Sequence, residues 1–150
     1  MKMTMKKLLT AVVALLAAHS AMAGVKIEHW VSPTGARVYF VESRVLPMLD
    51  VQVDFAAGSM FDPAGKSGTA ALTRATLDLG AGTRDETAIA EQLADIGATL
   101  GGGADTDRAS IAVRTLSVPE KRNVAIDILR NVLQAPRFDP AIVEREKART

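Results

Sequence analysis

Few side chains in this sequence can do chemistry, and their scarcity narrows what the chain can be. There is no cysteine, and the two histidines are His19 and His29. Without cysteine there is neither a disulfide framework nor a thiolate metal site. His19 belongs to an apolar N-terminal segment; once that segment is removed, His29 is the one histidine left. A zinc site built from two histidines therefore cannot form within the remaining stretch. His29, beside Trp30, reads as a surface or packing residue. Asp78, Glu144 and Glu146 read as solvent-facing charges on helices. Arg74 is a permanent cation and cannot act as a base; it reads either as a solvated helix residue or as taking an inward role in a charged wall. Gly101-Gly102-Gly103 lacks the following Lys-Ser/Thr of a phosphate loop. Three glycines within a strand pattern imply instead a bulge or the close approach of another backbone.

The most organised pattern is residues 58–83, GSMFDPAGKSGTAALTRATLDLGAGT. Gly58, Ser59, Asp62, Pro63, Gly65, Lys66, Gly68 and Ala70 make a frame that resembles the insulinase/pitrilysin metallopeptidases, the inverted zincins. Members of that family carry Gly-Ser, an acid, a Pro/Gly turn, and then Gly-x-Ala-His-x-x-Glu-His on a helix. Here the last five positions are Ala71, Leu72, Thr73, Arg74 and Ala75. Residues at i, i+3 and i+4 share one helical face. Two imidazoles so placed grip one Zn²⁺ while the carboxylate polarises its water. Ala71 and Ala75 have no lone pair to give, and a cation at Arg74 would repel a divalent ion. The frame without its ligands implies a non-catalytic member, with no metal in this chain.

The resemblance extends over roughly residues 25–150. Residues 80–100 are similar to the family's segment after the active helix. Pro136-Arg137-Phe138-Asp139, with Glu144-Arg145-Glu146, is similar to its entry into the helix bearing the third zinc ligand. By that pattern Glu146 takes the place of an outer-shell acid, and the ligand glutamate falls past Thr150. The resemblance also implies that an edge strand near Leu100, Gly101, Gly102, Gly103 and Ala104 accepts peptide by strand addition. Two-subunit members imply a partner, a sister metallopeptidase chain that keeps His-x-x-Glu-His and holds the zinc, while the inactive chain binds peptide substrate. Two other readings stay open: a scaffold or binding protein with no protease role, and an active zinc peptidase whose motif lies beyond residue 150.

Local patterns supply the elements that must position these residues. Val25–Trp30 reads as a short leading strand, Ser32-Pro33-Thr34-Gly35 as a turn, and Ala36–Glu42 and Leu49–Ala56 as strands, the second half-buried. Ser67 is expected to cap a helix running to about Leu79, stopped by Gly80-Ala81-Gly82. Thr83 or Asp85 then starts a helix over Glu86–Ile96, with Gly97 at its C-terminus. Thr99–Ala104 and Arg108–Leu116 read as paired strands. Pro119 opens a third helix to about Leu133, with Val124, Ile128, Leu129 and Val132 inward, and Asp139-Pro140 opens a fourth. The order β-β-α-α-β-β-α-α predicts an α+β fold with a largely antiparallel sheet packed against helices, the first domain of a two-half body.

Composition sets the compartment. Residues 1–23 read as a signal peptide: Lys2, Lys6 and Lys7, an apolar run from Leu8 to Ala18, and Ala21-Met22-Ala23 as cleavage site. The run is about half of the ~20 residues that span a bilayer, so stable membrane insertion is not expected, an uncleaved anchor being the alternative. The expected destination is the periplasm. The whole chain has 18 basic and 17 acidic residues; removing three lysines leaves 15 basic against 17 acidic over residues 24–150, which gives no nucleic-acid footprint. The segment 24–150 is long enough for one modest core. The end at Glu144–Thr150, without Gly or Pro, reads as a helix cut short, and hence as a domain incomplete at its C-terminus.

Overall fold

The computed structural model describes residues 25–149. The expected signal segment, residues 1–23, lies outside the described residues. The chain divides into two compact units, one ending at Val45 and the other beginning at Leu46.

In the first unit, strands β1 (Ile27–Val31) and β2 (Arg37–Val41) form an antiparallel hairpin. The turn between them is the one its composition predicts. Ser32 Oγ accepts from the Ala36 N–H at 3.1 Å, and Gly35 takes the positive φ of 88° that a side chain would resist. His29 lies opposite Tyr39 and stacks on it, ring centroids 6.3 Å apart. That is the packing role read from the sequence.

The second unit is built on a three-stranded antiparallel sheet whose central strand is the last of the three in the chain. Its strands are β3 (Met48–Phe55), β6 (Thr99–Gly101) and β7 (Ala109–Leu116). Four helices accompany it: α1 (Thr69–Thr76), α2 (Glu86–Ile96), α3 (Pro119–Gln134) and α4 (Pro140–Lys147). Helices and antiparallel strands thus make the α+β fold expected. Alternation along β7 decides which face is core: Ile111, Val113 and Thr115 are buried, while Arg114 is exposed and paired with Asp50 of β3. Helix α3 covers that face with Ala125, Ile128, Leu129 and Val132, the i, i+3, i+4, i+7 spacing of one helical face. Ile89 of α2, with Ala81 and Ala98, completes the cluster, and Val51, Val53, Leu93, Ile96 and Val124 pack on it partly buried.

Two features depart from the sequence reading. Gly80-Ala81-Gly82 does more than stop a helix. Gly80–Ala81 (β4) pairs with Arg84–Asp85 (β5) in a two-residue antiparallel ladder. Strands this short carry no periodicity, so nothing in the local pattern announces them. The ladder is held by Arg84, which donates to Gln92 Oε1 of α2 at 2.9 Å and to Asp127 Oδ2 of α3 at 2.8 Å. The other departure concerns the cap of α1, which belongs to the site below. The starts and stops of α2 follow the sequence: Asp85 accepts from the Ala88 N–H at 2.8 Å, and Gly97 closes the helix at φ 64°.

Two predictions follow from this packing. Thr115 is 2% exposed, and its hydroxyl has no hydrogen-bond partner among the described residues. Thr115→Val should raise stability by about 1 kcal/mol in urea unfolding, because a desolvated, unsatisfied hydroxyl is exchanged for a methyl. Asp127 has its acid strength increased, chiefly by the Arg84 hydrogen bond and also by Arg130. Its folded pKa lies below the unfolded one, so its contribution is full above the ordinary carboxylate range and is lost as pH falls through the depressed value. The pair is partly solvated, and the loss should be at most ~1 kcal/mol. Asp127→Asn should flatten that part of the acid limb in urea titrations at successive pH values; an unchanged limb would exclude the role.

Candidate functional site

Helix α1 carries the positions at which the resembled motif would place its chemistry, and its start is set from a distance. Gly68 is the N-cap with φ 90°, a left-handed conformation that suits glycine. No side chain at the cap position bonds the helix, and Ser67 does not cap it. Asp62 does so instead. Its Oδ2 accepts from the Gly68 N–H at 2.7 Å and its Oδ1 from the Ala70 N–H at 2.8 Å. A carboxylate satisfies two donors that a serine hydroxyl could serve only singly, and its charge suits a helix N-terminus. The helix then ends at Thr76, three residues short of the expected Leu79. The Thr76 hydroxyl donates to the Leu72 carbonyl oxygen at 2.8 Å.

The three motif positions do not share one fate. Ala71 and Ala75 are exposed, whereas Arg74 turns inward, its side chain only 11% exposed. Arg74 Nε donates to the Ser110 carbonyl oxygen of β7 at 3.1 Å, and Nη1 to Asp78 Oδ1 at 3.2 Å. Arg74 is therefore not a solvated helix residue: of the two readings the inward one holds, and the side chain ties helix to sheet. Asp78, read as solvent-facing, is 21% exposed and serves as its counter-ion.

The glycine-rich segment explains how this tie is possible. The register between β6 and β7 runs unbroken from Thr99 opposite Arg114 to Ala104 opposite Ala109. No residue is inserted, so of the two readings of the glycines, bulge or close approach, the second holds. Gly102 has φ 150°. A Cβ there would collide with the Ser110 carbonyl and sit 2.9 Å from Arg74 Nε. Gly103 and Ser110 exchange both backbone bonds, at 3.2 and 2.7 Å. Antiparallel alternation then directs the N–H and C=O of Leu100 away from β7, toward the open edge of the sheet. Leu100, Gly101 and Gly102 border a shallow cleft of about 470 Å³, together with Gln52, Ala112 and Arg114.

Ala104 belongs to a different cleft of about 540 Å³, which it shares with Ala71, Ser59 and the hairpin tip Asp105–Asp107. That tip is gripped by a 3-10 turn, Ser59–Phe61. The Ser59 N–H donates to the Asp105 carbonyl at 2.9 Å and the Met60 N–H to the Thr106 carbonyl at 2.8 Å. Gly58 permits the approach, since a Cβ would collide with the backbone of Thr106. The structure thus brings Ala71 and Ala104 together, and places Gly102, but not Leu100 or Gly101, against Arg74.

Glu146 lies on α4, which packs against α1. Its side chain is 13% exposed and forms ion pairs with Arg145 and Arg149. The Arg145 hydrogen bond, followed by that from Arg149, holds its carboxyl below the usual range. Arg145 also bonds both Glu86 oxygens, at 3.0 and 3.2 Å, fastening α4 to α2. Glu144 is an exposed charge paired with Lys147, as read from the sequence. No group of three or more His, Cys, Asp or Glu among the described residues could hold a metal ion. Zinc does not fit the α1 site, where two positions lack donors and the third is a cation bound elsewhere. The tie through Arg74 and the cap by Asp62 escape sequence reading because both partners are distant; the only local trace is Gly102 within a strand pattern.

Asp62→Ala should cost about 1–2 kcal/mol by leaving two helix N–H groups unserved. Amide exchange at Gly68 and Ala70 should accelerate more than in α3; equal protection there would exclude the cap.

A family model described as Insulinase (Peptidase family M16) matches residues 37–150. Among solved structures, the chain is similar to the peptidase M16 inactive domain from Pseudomonas fluorescens, at 38% identity over 83% of this chain and with a TM-score of 0.80. The match spans 30% of that chain's length. Among curated proteins, no sequence matches. With the family match running through the motif helix and on to the last residue, this chain belongs to the insulinase family, peptidase family M16, as a member with Ala71, Arg74 and Ala75 where the metal-binding and base residues would stand.

Proposed function

We propose that this chain serves as a secreted, non-catalytic insulinase-family subunit. It binds extended peptide at the β6 edge and supports zinc-dependent proteolysis by a sister chain that carries His-x-x-Glu-His. The observation that carries this reading is the fate of Arg74. The side chain at the position of the general base is committed to the Ser110 carbonyl and Asp78, so it can neither take a proton nor sit beside a metal. The similar solved structure is itself described as an inactive domain. The backbone groups of Leu100, directed to the open edge, suit strand addition, in which main-chain hydrogen bonds give the affinity. The N-terminal sequence supports export to the periplasm, with processing after Ala23.

The test is reconstitution. The sister chain's peptide hydrolysis, measured alone and with this chain added, should rise on addition and fall with a chelator. No change would favour the scaffold reading, and hydrolysis by this chain alone would favour a motif further along the product. Mass spectrometry of the exported protein should find Gly24 at the N-terminus; an intact Met1 peptide in the membrane fraction would favour the anchor.

The purified chain should not retain stoichiometric zinc through dialysis. Restoring the motif with Ala71→His, Arg74→Glu and Ala75→His should create no chelator-sensitive cleavage, because no cluster among the described residues offers the further ligand and supporting shell a metal needs. It should also lower stability. Glu at position 74 sets a carboxylate against the Ser110 carbonyl and Asp78, all acceptors. A triple variant as stable as the parent would show that the Arg74 tie carries little.

A further inference from the structure

We propose that Arg74 is a positioning residue for peptide capture, holding the open edge of β6 where an extended peptide would pair. The proposal rests on the peptide-binding reading above and adds the group that sets the edge. β6 is three residues long, and its continuation through Gly102 and Gly103 has no side chain to pack. Glycine backbone is the most costly to order. Any peptide pairing there would first have to immobilise it, and that cost would come out of the affinity.

Arg74 removes much of that cost beforehand. Its Nε reaches the Ser110 carbonyl oxygen at 3.1 Å, and the same oxygen accepts from the Gly103 N–H at 3.2 Å. A charged donor from the helix and the edge segment's own N–H thus share one acceptor. Gly102 lies against the guanidinium, with room for a hydrogen but not a methyl. Asp78 fixes the fork through Nη1 at 3.2 Å. A lysine could reach one of these partners but has no planar fork to hold both. The position that would hold the general base is, in this chain, the brace of the substrate-side strand.

The experiment uses a fluorescein-labelled peptide, ASIAVRTL, the sequence of β7, which already pairs with the inner side of β6. Anisotropy titration is run on the exported protein and on its Arg74→Met, Arg74→Lys, Gly102→Ala and Ile128→Val variants, each well below its unfolding temperature. Slowed amide exchange at Leu100 on binding locates the peptide. Arg74→Met and Gly102→Ala should weaken binding about tenfold, the worth of one charge-assisted hydrogen bond. Arg74→Lys should fall between them and the parent. Ile128→Val, which loosens the core under β7 without touching the edge, should bind like the parent. Equal binding by parent and Arg74→Met would overturn the proposal while leaving the peptide reading intact. So would a loss in Ile128→Val as large as in Arg74→Met, since that would show general softening. Should Arg74→Met not fold, Arg74→Lys and Gly102→Ala carry the comparison. No binding by the parent would remove the peptide reading and this proposal with it.

Discussion

Strand β7 is the constraint to which the rest of the larger unit is referred. It pairs on both sides, with β3 and with β6, so its own backbone groups are committed along most of its length. One of its faces gives Ile111 and Val113 to the core, where burial of such side chains contributes about 1.5–3 kcal/mol each. The Ser110 carbonyl, near its start, also receives the guanidinium from α1. A single strand therefore fixes the sheet, seats α3 and anchors the helix on which this family's chemistry would be built.

That anchoring changes how the loss of zinc chemistry is understood. In a working site of this type, the residue four before Asp78 would be a carboxylate that polarises a metal-bound water. Here it is nearly buried and paired twice within the fold. The helix has exchanged a reactive group for a structural one. The exposed alanines beside it keep the helical propensity and remove the donors.

Much of this was legible in the sequence. The alternation of Ile111 and Val113 with Ala112 and Arg114, the spacing of Ile128, Leu129 and Val132, the Asp85 cap and the Gly97 stop are local signals, each readable within a few residues. The frame around Gly58 and Asp62 pointed to the family, and Gly101–Gly103 announced a bulge or a close approach, of which the structure has the second. What stayed hidden was non-local. Asp62 reaches its helix over a loop of five residues from 63 to 67, outcompeting Ser67. Arg74 finds Ser110, 36 residues on. The β4–β5 ladder is too short for any period. Asp78 reads as solvent-facing because its side of the chain cannot be judged without knowing where Arg74 turns.

The grip on the hairpin tip has a further consequence. Residues 58–60 hold Asp105 and Thr106 through main-chain bonds alone, and backbone recognition does not read side-chain identity. Asp105, Thr106 and Asp107 are accordingly free to change without disturbing the turn that carries them, while Gly58 is not. The lining of the cleft beside Ala71 is thus an evolvable surface on a fixed chassis. Sister proteins could alter its charge or polarity by single substitutions, and acquire new specificity there without renegotiating the fold.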